Sequence, residues 1–126
     1  MIYFADLHIH VGRAGSGTPV KITASSALTV QGILRECSER KGIHIAGIVD
    51  CASPAVLADL RALVDRGDLV PLPGGGLSYR DKVVLFLGAE IELGGPQGGS
   101  AHFLAFTPSL ETMEELSRFL SSAITN

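Results

Sequence analysis

The stretch Ile43-His44-Ile45-Ala46-Gly47-Ile48-Val49-Asp50-Cys51-Ala52-Ser53-Pro54 decides the reading of the fold. Ile43 to Val49 is almost wholly apolar, the pattern of a parallel strand buried on both faces. The run stops at Asp50-Cys51. Ser53-Pro54 then opens a helix, with serine as cap and proline in the first turn. Val56, Leu57, Leu60, Leu63 and Val64 form its buried stripe, and Gly67 stops it. A buried strand handing over to an amphipathic helix is the repeating unit of α/β architecture.

Upstream, the same order recurs. Residues 2–10 predict a strand, and Gly12 to Pro19 a loop. Residues 27–41 predict a helix, with Ala27, Val30, Leu34, Cys37 and Lys41 at helical spacing and Ile33 beside them. Ser25 or Ser26 caps its start and Gly42 follows its end. Downstream, Leu69 to Leu72 is a short strand and Pro73-Gly74-Gly75-Gly76 a turn. That turn feeds a β-rich run, Lys82 to Leu87, and not a helix, which excludes a phosphate cradle. Val83 to Leu93 reads as a strand interrupted at Gly88. Gly94 to Ser100 is a loop and Ala101 to Phe106 a further strand. Thr107-Pro108-Ser109 leads to a last helix that buries Met113, Leu116, Leu120 and Ala123. No repeat or linker divides the chain, so residues 1–126 are expected to form one domain.

Bulk composition narrows the function classes. Hydrophobic content of 46% against 18% charged residues makes the chain globular and not disordered. The net charge of −3 gives no global electrostatic footprint for nucleic acid. No apolar run approaches the roughly 18 residues of a membrane span, and no basic segment followed by an apolar core marks secretion. Cys37 and Cys51 do not make a disulfide framework, so a cytoplasmic setting is expected.

The chemistry concentrates in residues that strands present. In Asp6-Leu7-His8-Ile9-His10, strand alternation puts Asp6, His8 and His10 on one face. Asp50, at a strand-to-helix handover, is either a turn residue or a ligand. Glu90 and Glu92 share one face of an internal strand, where an unpaired carboxylate is costly. Glu90 is read as functional and Glu92 is left open. His102 shares a face with Leu104 and Phe106. His44, at the other end of its strand from Asp50, reads as structural, and Cys37 as core. Arg13 and Lys21 are either solvated or positioned to contact an anion near the strand end. A carboxylate–imidazole mixture binds zinc, manganese or iron, and two or three ions can share the carboxylates. Such sites activate water and clamp phosphate. No serine lies in a nucleophile elbow.

In order, Asp6-Leu7-His8-Ile9-His10, Ile48-Val49-Asp50, Gly88-Ala89-Glu90-Ile91-Glu92 and His102-Phe103-Leu104 resemble the first motifs of the polymerase and histidinol phosphatase (PHP) domain superfamily. Residues 3–13, with Pro19 to Thr23 and Ser38 to Gly42, look most like the N-terminal part of endonuclease Q-like proteins. The resemblance implies the first half of a distorted (β/α)7 barrel with divalent metal (zinc, manganese, iron or magnesium) at the strand ends. It implies His8, His10, Asp50, Glu90 and His102 as ligands, with Glu90 bridging and Asp50 and Glu90 catalytic. Arg13 or Lys21 would contact phosphate. Two features depart from the family. Val49-Asp50-Cys51 stands where it has Thr-Asp-His, leaving Cys51 as a possible thiolate ligand, and no Asp-x-His follows His102.

The expectation is therefore a metal-dependent phosphoesterase module from a DNA-repair endonuclease that cuts 5′ to deaminated bases. The alternatives are a small-molecule phosphatase of the histidinol phosphatase kind and a non-catalytic metal-binding or oligomerising fragment. The missing late motif leads us to expect a piece of a longer barrel, with DNA or a phosphate ester as substrate. Self-association, or the rest of the barrel, would cover its apolar edges.

Overall fold

The apolar run after Gly42 becomes a central strand. The computed structural model describes residues 1–123. Its elements are Ala5–Ile9 (β1), Val30–Glu36 (α1, continued by a π-helical turn at Cys37–Lys41), Ile45–Ile48 (β2), Pro54–Asp65 (α2), Leu69–Pro71 (β3), Leu77–Tyr79 (β4), Val83–Gly94 (β5), Ser100–Thr107 (β6) and Leu110–Ala123 (α3). The strands form one open sheet in the order β1-β2-β5-β4-β3, with β6 also paired to β5. Among the described residues no helix is long and apolar enough to cross a membrane.

This architecture corrects the expected α/β half-barrel. Only β1, β2 and β5 run parallel, while β3, β4 and β6 join antiparallel. The sheet is mixed and open and the fold is strand-rich α+β, not part of a (β/α)7 barrel. The cause lies in the connections. A parallel step needs a crossover of a dozen or more residues. After α2 the links from strand to strand are residues 72–76, 80–82 and 95–99, each too short for a crossover and able only to reverse the chain.

The strand β4 and its turn were not read from the sequence. The three-residue link 80–82 between the paired Tyr79 and Val83 contains a tight turn whose two central residues need positive φ, a conformation usually taken by Asn-Gly. Here Arg80 (φ 52°) and Asp81 (φ 56°) take that conformation, closed by the Lys82 amide donating to the Tyr79 carbonyl. Arg80 carries no turn signal, and Asp81, a turn-favouring type, lacks the glycine that usually follows it in such turns.

All three helices cover one face. Ala46, Ile48, Leu69, Leu77, Tyr79, Val83, Leu85, Leu87 and Ala89 lie in register on that face and join Val30, Ile33, Leu34, Val56, Leu60, Leu63, Leu110 and Met113 in one core. Each fully buried leucine there contributes about 1.5–3 kcal/mol. In α3, Met113 is buried as expected, Leu116 and Leu120 are half-buried, and Ala123 is exposed. Ser117 is buried instead, its hydroxyl donating to the Ala52 carbonyl.

The strand expected over residues 2–10 is shorter. Its first residues are held by His44, whose Nδ1 accepts from the Phe4 amide at 3.0 Å and whose ring stacks on Phe4. The expected interruption at Gly88 does not occur, and β5 passes through it. A Cβ there would lie 2.8 Å from the Phe106 ring and 3.0 Å from the Ile48 carbonyl oxygen, so the position needs glycine for space.

The Arg80-Asp81 turn holds left-handed backbone that glycine adopts freely. Asp81→Gly should therefore raise stability by about 1 kcal/mol, read as a higher urea midpoint with unchanged slope. A lower midpoint would contradict this account of the turn.

Candidate metal centre

The site begins with an irregularity in β1. Asp6 pairs with Ala46, yet Ile9 pairs with Ile48, so Leu7 and His8 together stand opposite Gly47 alone. Such a bulge shifts the side-chain alternation by one. Gly47 permits it, because a Cβ there would sit 2.8 Å from Leu7 Cα. Asp6 therefore does not share a face with His8 and His10. It lines a hollow with Ile9, Ile33 and Cys37 on the helix-covered side, and its Oδ1 accepts from the His8 amide at 3.1 Å. His8 and His10 are left on the open face, at the carboxyl end of a parallel strand, where ligands collect in such sheets.

Glu90 receives them. His8 Nε2 lies 2.6 Å and His10 Nε2 3.1 Å from Glu90 Oε2. His102 approaches from the other side, with Nδ1 2.7 Å from Glu90 Oε1. In the β5–β6 ladder His102 stands opposite Glu92, so its bond to Glu90 is a diagonal one. Glu90 can extend toward β1 because β2 ends at Ile48 while β5 continues to Gly94. The His102 and His8 hydrogen bonds, with the nearby His10 charge, hold the Glu90 carboxyl down at about 2, against a smaller opposing effect of desolvation.

His8, His10 and Glu90 each offer one ligand atom within 4.8 Å of the others. Two imidazoles and a carboxylate suit zinc, manganese or iron, and suit magnesium less, since that ion prefers oxygen donors. Asp50 stands behind this group. Its Oδ2 accepts from the Val11 amide at 2.8 Å and lies 3.0 Å from His10 Nδ1. An ionised carboxylate only accepts, so His10 donates from Nδ1 and turns Nε2 toward Glu90. Asp50 is thus placed as an orienting partner of His10.

His102 is joined to the group through Glu90, and Glu92 lies 3.8 Å from His102 Nε2. Arg13 is exposed on its loop and Lys21 half-buried; among the described residues neither forms an ion pair with the cluster. Cys51 is buried, donates its S–H to the Ile48 carbonyl, and has its thiol pushed up to about 12 by burial. It is a protonated core group. Burial also raises the Cys37 thiol.

Because the Glu90 carboxyl is depressed from 4.5 to about 2, its ionisation stabilises the metal-free fold above about pH 4.5. That contribution is lost as the pH falls toward 2. Wild type should therefore unfold at higher denaturant than Glu90→Gln at pH 6, with the gap closing between pH 4.5 and 2. A gap independent of pH would mean that the carboxylate charge is not what binds the three imidazoles.

No family model matches the chain, and no solved structure matches it. A protein of Bacillus subtilis (strain 168) described as "Uncharacterized protein YqxK" is 44% identical over 124 residues. The match covers 98% of this chain and 32% of that protein, so the chain spans about a third of the length of the curated relative it matches.

Proposed function

We propose that this chain carries a divalent-metal site serving phosphoester hydrolysis. The observation that carries the reading is the convergence of His8, His10 and Glu90, with Asp50 orienting His10 and His102 bracing Glu90. The order of motifs resembling the PHP superfamily supports the same chemistry, and with it a role as the nuclease centre of a DNA-repair endonuclease. A divalent ion held there supplies Lewis acidity toward a phosphoryl oxygen and lowers the pKa of a water. His8 and His10 provide neutral nitrogen donors, and Glu90 provides the negative charge that offsets the ion. Asp50 keeps His10 in the tautomer that leaves Nε2 free to bind. The small-molecule phosphatase reading is favoured by the net charge of −3, which offers a nucleic-acid backbone no general attraction.

Elemental mass spectrometry after incubation with manganese or zinc tests the metal. The wild-type chain should retain about one ion or more and His8→Ala/His10→Ala none, with circular dichroism unchanged. Asp50→Asn should keep the site but weaken metal affinity about 10–100-fold. Equal metal content in all three proteins would remove the reading. Hydrolysis of bis-p-nitrophenyl phosphate by the loaded wild type, absent in the double variant, tests the reaction.

The open face supports self-association as well. β6 is an edge strand, and its hairpin exposes Leu93 and Phe103 on one side and Leu104 and Phe106 on the other. Long apolar edges of this kind pair with another chain. Light scattering at micromolar concentration should give a mass above that of one chain, and a monomeric mass would rule the proposal out.

A further inference from the structure

The bulge that leaves His8 and His10 on the open face of the sheet leaves Asp6 on the helix-covered one, at a hollow of about 470 Å³. That volume falls within the range of small-ligand pockets. The inner lining is apolar, with Ile33 and Cys37 buried and Ile9 and Ile43 half-buried. The exposed lining carries Asp6, Arg35 and Lys41. Glu36 also borders the hollow, but Arg40 matches its charge at 3.3 Å. Among the described residues Arg35 and Lys41 form no ion pair. Asp6 Oδ1 accepts from the His8 amide at 3.1 Å, and among the described residues Oδ2 has no partner.

The π-helical turn that continues α1 borders this hollow. It spans Cys37–Lys41 and is closed by the Gly42 amide donating to the Cys37 carbonyl. Such turns are rare and frequently mark functional sites. Cys37 and Lys41, at its two ends, both line the hollow. Burial raises the Cys37 thiol most; after it, the Asp6 charge raises it and the Lys41 charge lowers it, so both charges reach the same sulfur. The hollow thus joins an apolar interior to an acid and two bases at its mouth.

That lining selects a class of ligand. A monoanion placed there faces Asp6, and a monocation faces Arg35 and Lys41. An uncharged apolar molecule covers the free oxygen of Asp6 without giving it a partner, which is costly. A molecule with an ammonium, a carboxylate and an apolar body meets all three parts of the lining. We infer that this hollow binds such a zwitterion, an α-amino acid with an aliphatic side chain, its ammonium on Asp6 and its carboxylate on Lys41 or Arg35. The site lies across the sheet from the His8/His10/Glu90 cluster and stands apart from the phosphoester reading.

Nuclear magnetic resonance titration of the chain with L-leucine tests it, with a chelator present so that the amino acid cannot bind through a metal ion. Leucine should shift the Ile9 and Ile33 methyl resonances to saturation. N-acetyl-leucine, which lacks the ammonium, and leucinamide, which lacks the carboxylate, should each bind about tenfold more weakly, the scale of one hydrogen bond to a charged group. Asp6→Asn keeps an oxygen for the His8 amide and should abolish the advantage of leucine over N-acetyl-leucine. Arg35→Met/Lys41→Met should abolish its advantage over leucinamide. Glu39→Gln, outside the hollow, should change neither. No shift at Ile9 and Ile33 with millimolar leucine, equal binding of leucine and its two derivatives, or full affinity for leucine in Asp6→Asn would each overturn the inference.

Discussion

One carboxylate draws three imidazoles from two strands, and the upper end of the sheet is built around that contact. Glu90 reaches His8 and His10 across the short end of β2 and His102 across the β5–β6 ladder. Its charge is retained far into acid because each neighbour favours the ionised form. Without an ion, the carboxylate satisfies the imidazoles and they satisfy it. With an ion, the same atoms are already gathered as donors. Holding donors in place before binding lowers the ordering cost of capture.

That gathering depends on two glycines. Gly47 lets β1 bulge against β2, which turns His8 and His10 to the open face and Asp6 away from it. Gly88 leaves room for the Phe106 ring over β5, two residues from Glu90. A side chain at either position would separate strands that must touch for the cluster to close. Asp50 adds a third constraint, tying the His10 ring to the Val11 amide at the end of β1.

Much of this was legible in the residues. The apolar run Ile43 to Val49, the Ser53-Pro54 helix start and the apolar stripe of α2 follow from periodicity and turn chemistry. The ligand types His8, His10, Glu90 and His102 were visible because strand alternation exposes polar residues within apolar runs. The facing of Asp6 was not legible. A bulge changes parity, and nothing in Asp6-Leu7-His8 marks one; the signal lay in Gly47, on the neighbouring strand. Arg80-Asp81 concealed a hairpin because Arg80 carries no turn signal and no glycine follows Asp81. Strands alternating with helices in the first half of the chain suggested α/β architecture, and the half-barrel was what the resemblance to the PHP superfamily implied. The short links after α2 carried the opposite message, since none of them has room for a crossover.

X-ray absorption spectroscopy of the zinc-loaded chain tests the central claim most directly. Imidazole rings give a distinctive outer-shell scattering pattern, and the account predicts at least two imidazoles with oxygen completing the shell. Loss of that pattern in His8→Ala/His10→Ala would tie it to this site. A shell of oxygen alone, or one unchanged by the double substitution, would show that metal binds elsewhere and that Glu90 gathers its histidines only to hold the sheet together.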